Sequence, residues 1–147
     1  MSLLPTSLYF TNVAGLVQEC ADYVLLQYYP GPRRFDEFTA LLHHVIRALS
    51  CYCLGKLIID QRQLTPYLPA EQVHLVQHWL PRTIVEGQYR YGAVLQAHDV
   101  FARLAMDTIR TLAQELPLTY RCRFFPDEVE AISWLQAQPL PPSHMRG

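Results

Sequence analysis

The sequence predicts an α/β fold, a mixed and mostly parallel sheet of four to five strands with about four helices. Three observations carry this. Short apolar runs bounded by turn residues recur along the 147-residue chain. Between them lie segments whose apolar residues repeat every three or four positions, the helical period. The two kinds alternate from residue 33 onward, the order that right-handed strand–helix–strand crossovers produce.

Leu8 to Asn12 reads as a first strand and Ala14-Gly15 as a turn, after which Leu16 to Cys20 either continues or returns the chain. Beyond Ala21-Asp22, the run from Tyr23 to Tyr29 is rich in the aromatic and branched residues that suit a pleated surface. Pro30-Gly31-Pro32 ends it. Phe35, Phe38, Leu41, Leu42, Val45, Ile46 and Leu49 then mark an amphipathic helix to about Tyr52, stopped before Gly55. Leu57-Ile58-Ile59, closed by Asp60, has the length and branching of a strand buried on both faces. Pro69 opens a second helix where its missing N–H costs least. Val73, Val76, Trp79 and Leu80 give that helix an apolar side, and Pro81 is expected to kink or end it.

Ala93-Val94-Leu95 is a further buried strand, and Asp99 is a natural N-cap for a third helix. The apolar stripe of that helix is Phe101, Leu104, Ala105, Ile109, Leu112 and Ala113. From Leu118 to Phe125 apolar and polar residues alternate, as in a strand near an edge. Asp127 with Glu130 forms a capping box before the last helix, whose packing residues are Val129, Ile132, Trp134 and Leu135. Residues 1–136 are expected to form one domain, and the proline-rich tail 137–147 to be disordered.

Half of the residues are hydrophobic and 17% are charged, which suits a folded globule. No apolar run approaches the roughly 18–20 residues of a membrane helix, so no membrane insertion is expected. Met1 to Pro5 lacks the basic start and apolar stretch of a secretory signal, and a cytoplasmic location is the expectation that remains. A net charge of −1 argues against nucleic acid as partner. Tyr89-Arg90-Tyr91 and Tyr120-Arg121 are accordingly read as an edge strand or partner surface. Cys20, Cys51, Cys53 and Cys122 form no CxxC pair and read as structural thiols.

Three stretches carry a family resemblance. They are the long helix followed by Gly55 to Asp60, the strand Ala93-Val94-Leu95 leading to Asp99, and Phe124 through the helix ending Trp134-Leu135. In their order and spacing the chain resembles the STAS superfamily, most closely its SpoIIAA-like branch, over roughly residues 16 to 136. The resemblance implies a regulatory or interaction domain and no enzyme. Where members of that superfamily carry a phosphorylated serine or threonine, this chain offers Thr65 as its one non-phenolic hydroxyl between Asp60 and Ala70, so it departs from the pattern.

Ligands of open α/β sheets bind beyond the carboxyl ends of the strands. That rule nominates Asp60, Gln61, Arg62, His98, Asp99 and Arg103, with Tyr28 and Tyr29 near the same edge, and the loop–helix surface that follows Asp60 adds Thr65. Arg33 and Arg34, ahead of the first helix, could contact an anion. His74 and His78 share a helical face at a zinc-compatible spacing, but no third ligand follows locally and the HExxH glutamate is missing. His43-His44, adjacent on the first helix, point to different faces. There is no nucleophile elbow and no glycine-rich phosphate loop, so neither a catalytic residue nor a cofactor is assigned.

The expected function is therefore a non-catalytic interaction or regulatory module for an unknown protein partner. It would dock through an open sheet edge, which also offers a route to a homodimer, or through the surfaces at Asp60–Pro69 and His98–Arg103. The alternative is a carrier or sensor of a small apolar or anionic ligand, its polar end held by Arg62 or Arg103. A preformed cavity would favour the alternative.

Overall fold

The computed structural model describes residues 7–52, 55–117 and 119–139. Among them are six strands in one sheet, in the order of the sequence: β1 (Ser7–Asn12), β2 (Gly15–Glu19), β3 (Val24–Tyr28), β4 (Lys56–Asp60), β5 (Tyr91–Leu95) and β6 (Arg121–Phe125). β1, β2 and β3 form an antiparallel meander, and β3 to β6 run parallel. The expectation of four to five mostly parallel strands is thus corrected to six, with an antiparallel half. The ambiguous segment Leu16–Cys20 returns the chain. Asn12 Oδ1 accepts from Ala14 N–H at 2.8 Å, which tightens a two-residue turn, and Asn12 then pairs with Gly15. A Cβ at Gly15 would collide with the Gln27 carbonyl of β3, so only glycine lets the hairpin lie flat there.

Strands in sequence order joined by right-handed crossovers place every crossover helix on one face. That layer holds α1 (Phe35–Tyr52), a helical rod built of α2 (Pro69–His74), a π turn (Leu75–Trp79) and α3 (Leu80–Glu86), and α4 (Val100–Gln114). Val24, Leu26 and Tyr28 of β3, Leu57 and Ile59 of β4 and Val94 of β5 pack into its core. The opposite residues Ile58, Ala93, Leu95 and Phe125 meet Ala131 and Leu135 of α5 (Glu128–Ala137). Alternation along β4 and β5 thus feeds both cores from the same two central strands.

Pro81 does not end the rod. A proline has no N–H for the carbonyl of Gln77 and crowds it. The turn just ahead widens instead, with Leu80 N–H reaching back five residues to Leu75 O. The widened turn carries Trp79 inward, where Nε1–H donates to the buried Leu42 carbonyl of α1 at 2.9 Å. The N-terminal end of the rod is fastened to the entry of α1 by Arg33 and Glu71. This bidentate pair, at 2.6 and 2.8 Å, leaves the two side chains 4% and 2% exposed.

The start of the chain, Cys53, Leu118 and most of the proline-rich tail lie outside the described residues. Helix α5 runs to Ala137, and Lys56 Nζ donates to Gln138 O at 2.9 Å. No helix among the described residues is long and apolar enough to cross a membrane.

Candidate functional site

Helix α4 turns small residues toward the sheet. Ala102, Ile109 and Ala113 are its buried positions. Beneath it, Gly92 of β5 has no side chain, and the space over it is taken by the ring and hydroxyl of Tyr89. Two alanines and one isoleucine cannot fill the gap between a helix layer and a sheet, and a cavity of about 330 Å³ remains. Aromatic rings from Tyr28, Tyr67, Trp79, Tyr89 and Tyr120 surround it, with Met106 and Cys122 contributing sulfur.

The polar atoms of this cavity sit at two ends. At the carboxyl ends of β3 and β4, Gln61 Nε2 donates to the Tyr67 hydroxyl at 3.1 Å, and the Tyr67 and Tyr28 hydroxyls are hydrogen-bonded to each other. Burial raises both phenols, Tyr67 to about 12. Near the start of β6, the Tyr120 phenol rises to about 12 and the Cys122 thiol to about 11. Burial is the main cause, and the Arg110 guanidinium opposes it in both cases. A thiol held neutral in this way is not an activated nucleophile. The Tyr89 hydroxyl is buried and has no hydrogen-bond partner among the described residues.

A second cavity of about 180 Å³ adjoins the first and shares Gln61, Met106 and Arg110 with it. It lies past the ends of β4 and β5, with Gln96, Arg103 and Asp107 on its walls. Arg103 Nη1 donates to Ala97 O at 3.0 Å. The Arg110 guanidinium lies 4.5 Å over the Phe124 ring, and its nearest charged contact is Asp107 at 3.9 Å.

The residues nominated from sequence are distributed over both faces of the sheet. Gln61 and Arg103 meet at the second cavity. Asp60 lies on the α5 side, where Arg62 Nε and Nη2 donate to its carboxylate at 3.0 and 2.8 Å and Arg62 also reaches Glu128 at 3.2 Å. Thr65 Oγ1 accepts from Gly31 N–H at 2.9 Å. Asp99 caps α4, accepting from Phe101 N–H at 2.7 Å, and His98 is exposed beside it. Arg33 is taken up by Glu71, and exposed Arg34 pairs with Asp36. His74 and His78 line one groove with His43 and His44. Burial lowers the His74 pKa, with smaller effects from His78 and Arg82. No group of three metal-ligand side chains occurs among the described residues.

Trp79, Met106, Arg110, Tyr120 and Cys122 were not singled out as ligand-facing in the sequence. The available signal was the pair of alanines at 102 and 113 in a helix otherwise rich in large apolar residues, together with arginines seven positions apart on one helical face.

The fold and the cavity define an α/β protein with a mixed six-stranded sheet and a hollow beneath its third crossover element, α4. Comparison with protein-family models, with curated proteins and with solved structures returned no match.

Proposed function

We propose that this chain is a non-catalytic carrier or sensor of a small ligand held between α4 and the sheet. The observation that supports it most is the cavity of about 330 Å³, walled by aromatic rings with a few polar atoms at its ends. Small-molecule sites have this composition, with volumes from ~300 Å³ upward. The Tyr89 hydroxyl, buried and without a hydrogen-bond partner among the described residues, adds a group whose hydrogen bond a ligand or a water would complete. The raised Cys122 thiol supports binding over covalent chemistry.

The docking reading joins this one through α4. Phe101 and Leu104, the outward apolar residues of the helix that roofs the cavity, are 67% and 57% exposed. A ligand beneath α4 would stabilise one position of that helix and thereby govern what its outer face meets. Native mass spectrometry under gentle and then denaturing conditions tests the proposal. A reproducible extra mass that disappears on denaturation, and is missing from an Ala113→Phe variant, is the expected result. A bare chain that also shows no thermal stabilisation by any member of a small-molecule library would overturn it.

A further inference from the structure

The two adjoining cavities differ in chemistry, and the difference identifies the kind of ligand. The larger is walled mainly by aromatic and aliphatic groups, with Gln61, Arg110 and Gln114 among its lining, whereas the smaller adds Arg103 and Asp107 to the shared Arg110. Arg103 and Arg110 are seven residues apart on α4, so both project from one face. A guanidinium has five donors in a planar fork. Arg103 uses one on a backbone carbonyl, and no carboxylate among the described residues lies within ion-pair range of it. Arg110 is held by its stacking on Phe124, with Asp107 beyond hydrogen-bond distance at 3.9 Å. Both arginines are exposed and line a cavity of about 180 Å³, with Asp107 one helical turn from each on the same wall. Met106, Gln61 and Arg110 line both this annex and the larger cavity, and Gln61 Nε2 touches Met106 Sδ at 3.3 Å. An unbranched thioether is the side chain most easily moved aside by a ligand that spans both spaces.

We propose that the site is bipartite and takes an amphipathic anion, with its apolar or aromatic body under α4 and its carboxylate or phosphate-type head between Arg103 and Arg110. This rests on the reading of the larger cavity as a ligand site. Paired guanidiniums suit planar bidentate recognition of either head. The aromatic walls suit a flat body or an acyl chain equally.

The test is isothermal titration of the whole chain with two matched pairs, 2-naphthoate against 2-naphthamide and decanoate against decanamide, and with inorganic phosphate alone. The acids are expected to bind about tenfold or more tightly than their neutral amides, and inorganic phosphate far more weakly than either acid. In an Arg103→Ala/Arg110→Ala variant, folded by circular dichroism, the preference should shrink to about twofold or less while the amides bind as before. Arg110→Lys, which keeps the charge and loses the fork, should retain part of it. Equal binding of acid and amide to the wild type would overturn the anionic head while leaving the cavity reading intact. So would an acid preference that survives loss of both arginines. Inorganic phosphate binding as tightly as the acids would overturn the bipartite arrangement. Failure of all four organic probes to bind at millimolar concentration would overturn the cavity reading itself.

Discussion

Helices α1 and α4 are crossover helices on the same face of the same sheet, yet they are built in opposite ways. α1 turns Phe38, Leu41, Leu42, Val45, Ile46 and Leu49 inward, and all are buried. α4 turns Ala102, Ile109 and Ala113 inward and leaves Phe101, Leu104 and Leu112 exposed. Its backbone approaches the π turn more than any strand it covers. One helix is a filled wedge and the other a roof over a hollow. The contrast shows where this fold is filled and where it leaves a hollow.

The largest way to break the contrast is at the filled end. Leu41→Ala removes a fully buried side chain and should cost about 2–5 kcal/mol, read as a lower midpoint in urea denaturation with an unchanged slope. Glu71→Leu would leave Arg33 buried without its carboxylate, and a loss of about 3–5 kcal/mol is expected in the same experiment. A loss below about 1 kcal/mol in either variant would contradict the packing described here.

At the hollow end the sign changes. Ala113→Phe places a ring into empty space, so thermal melting should show a stability change between zero and a gain of about 2 kcal/mol, together with loss of ligand binding. Strong destabilisation would mean that no hollow exists. Asp99→Ala removes the cap of α4 and should cost about 0.5–2 kcal/mol, with faster amide exchange confined mainly to residues 100–114.

The smallest expected effect is on pH dependence. The Cys122 thiol is raised by burial from 9.0 to about 11 in the folded protein. The folded state therefore holds this proton more tightly than the unfolded chain. Its contribution is full below about pH 9 and is lost as the pH rises toward 11. Denaturant midpoints measured from pH 8 to 11 should fall across that window, and less steeply in Cys122→Ala. An equal slope in both proteins would remove the thiol from this account.

The same pair of helices explains what the sequence revealed. The α1 stripe was legible because its apolar positions from Phe38 to Leu49 are all packing positions; only Phe35, in the first turn, stands exposed. In α4 the period identified the helix and Asp99 marked its start, and Ala105, Ile109 and Ala113 of its stripe do meet the core, but the large residues of the stripe do not. Phe101, Leu104 and Leu112 were expected inside and stand outside, because the large apolar residues and the alanines overlap on the wheel and only tertiary packing decides which face is covered. The β2 return was ambiguous for a similar reason, since the close approach of Gly15 to Gln27 is set by a neighbouring strand. Of the nominated pocket residues, Gln61 and Arg103 line the cavities because strand ends do gather there. Asp60 and Arg62 do not, because the alternation of β4 sends Asp60 to the α5 side. Arg110 and Tyr120 went unnominated because one is mid-helix and the other precedes an edge strand, away from the carboxyl strand ends to which the rule pointed.

Amide hydrogen exchange under native conditions tests the contrast most directly. Amides of α4 should open locally and exchange at least about tenfold faster than the interior amides of α1, and Ala113→Phe should bring α4 protection toward that of α1. Equal protection of the two helices in the wild type, unchanged by the variant, would contradict the claim that α4 roofs a hollow.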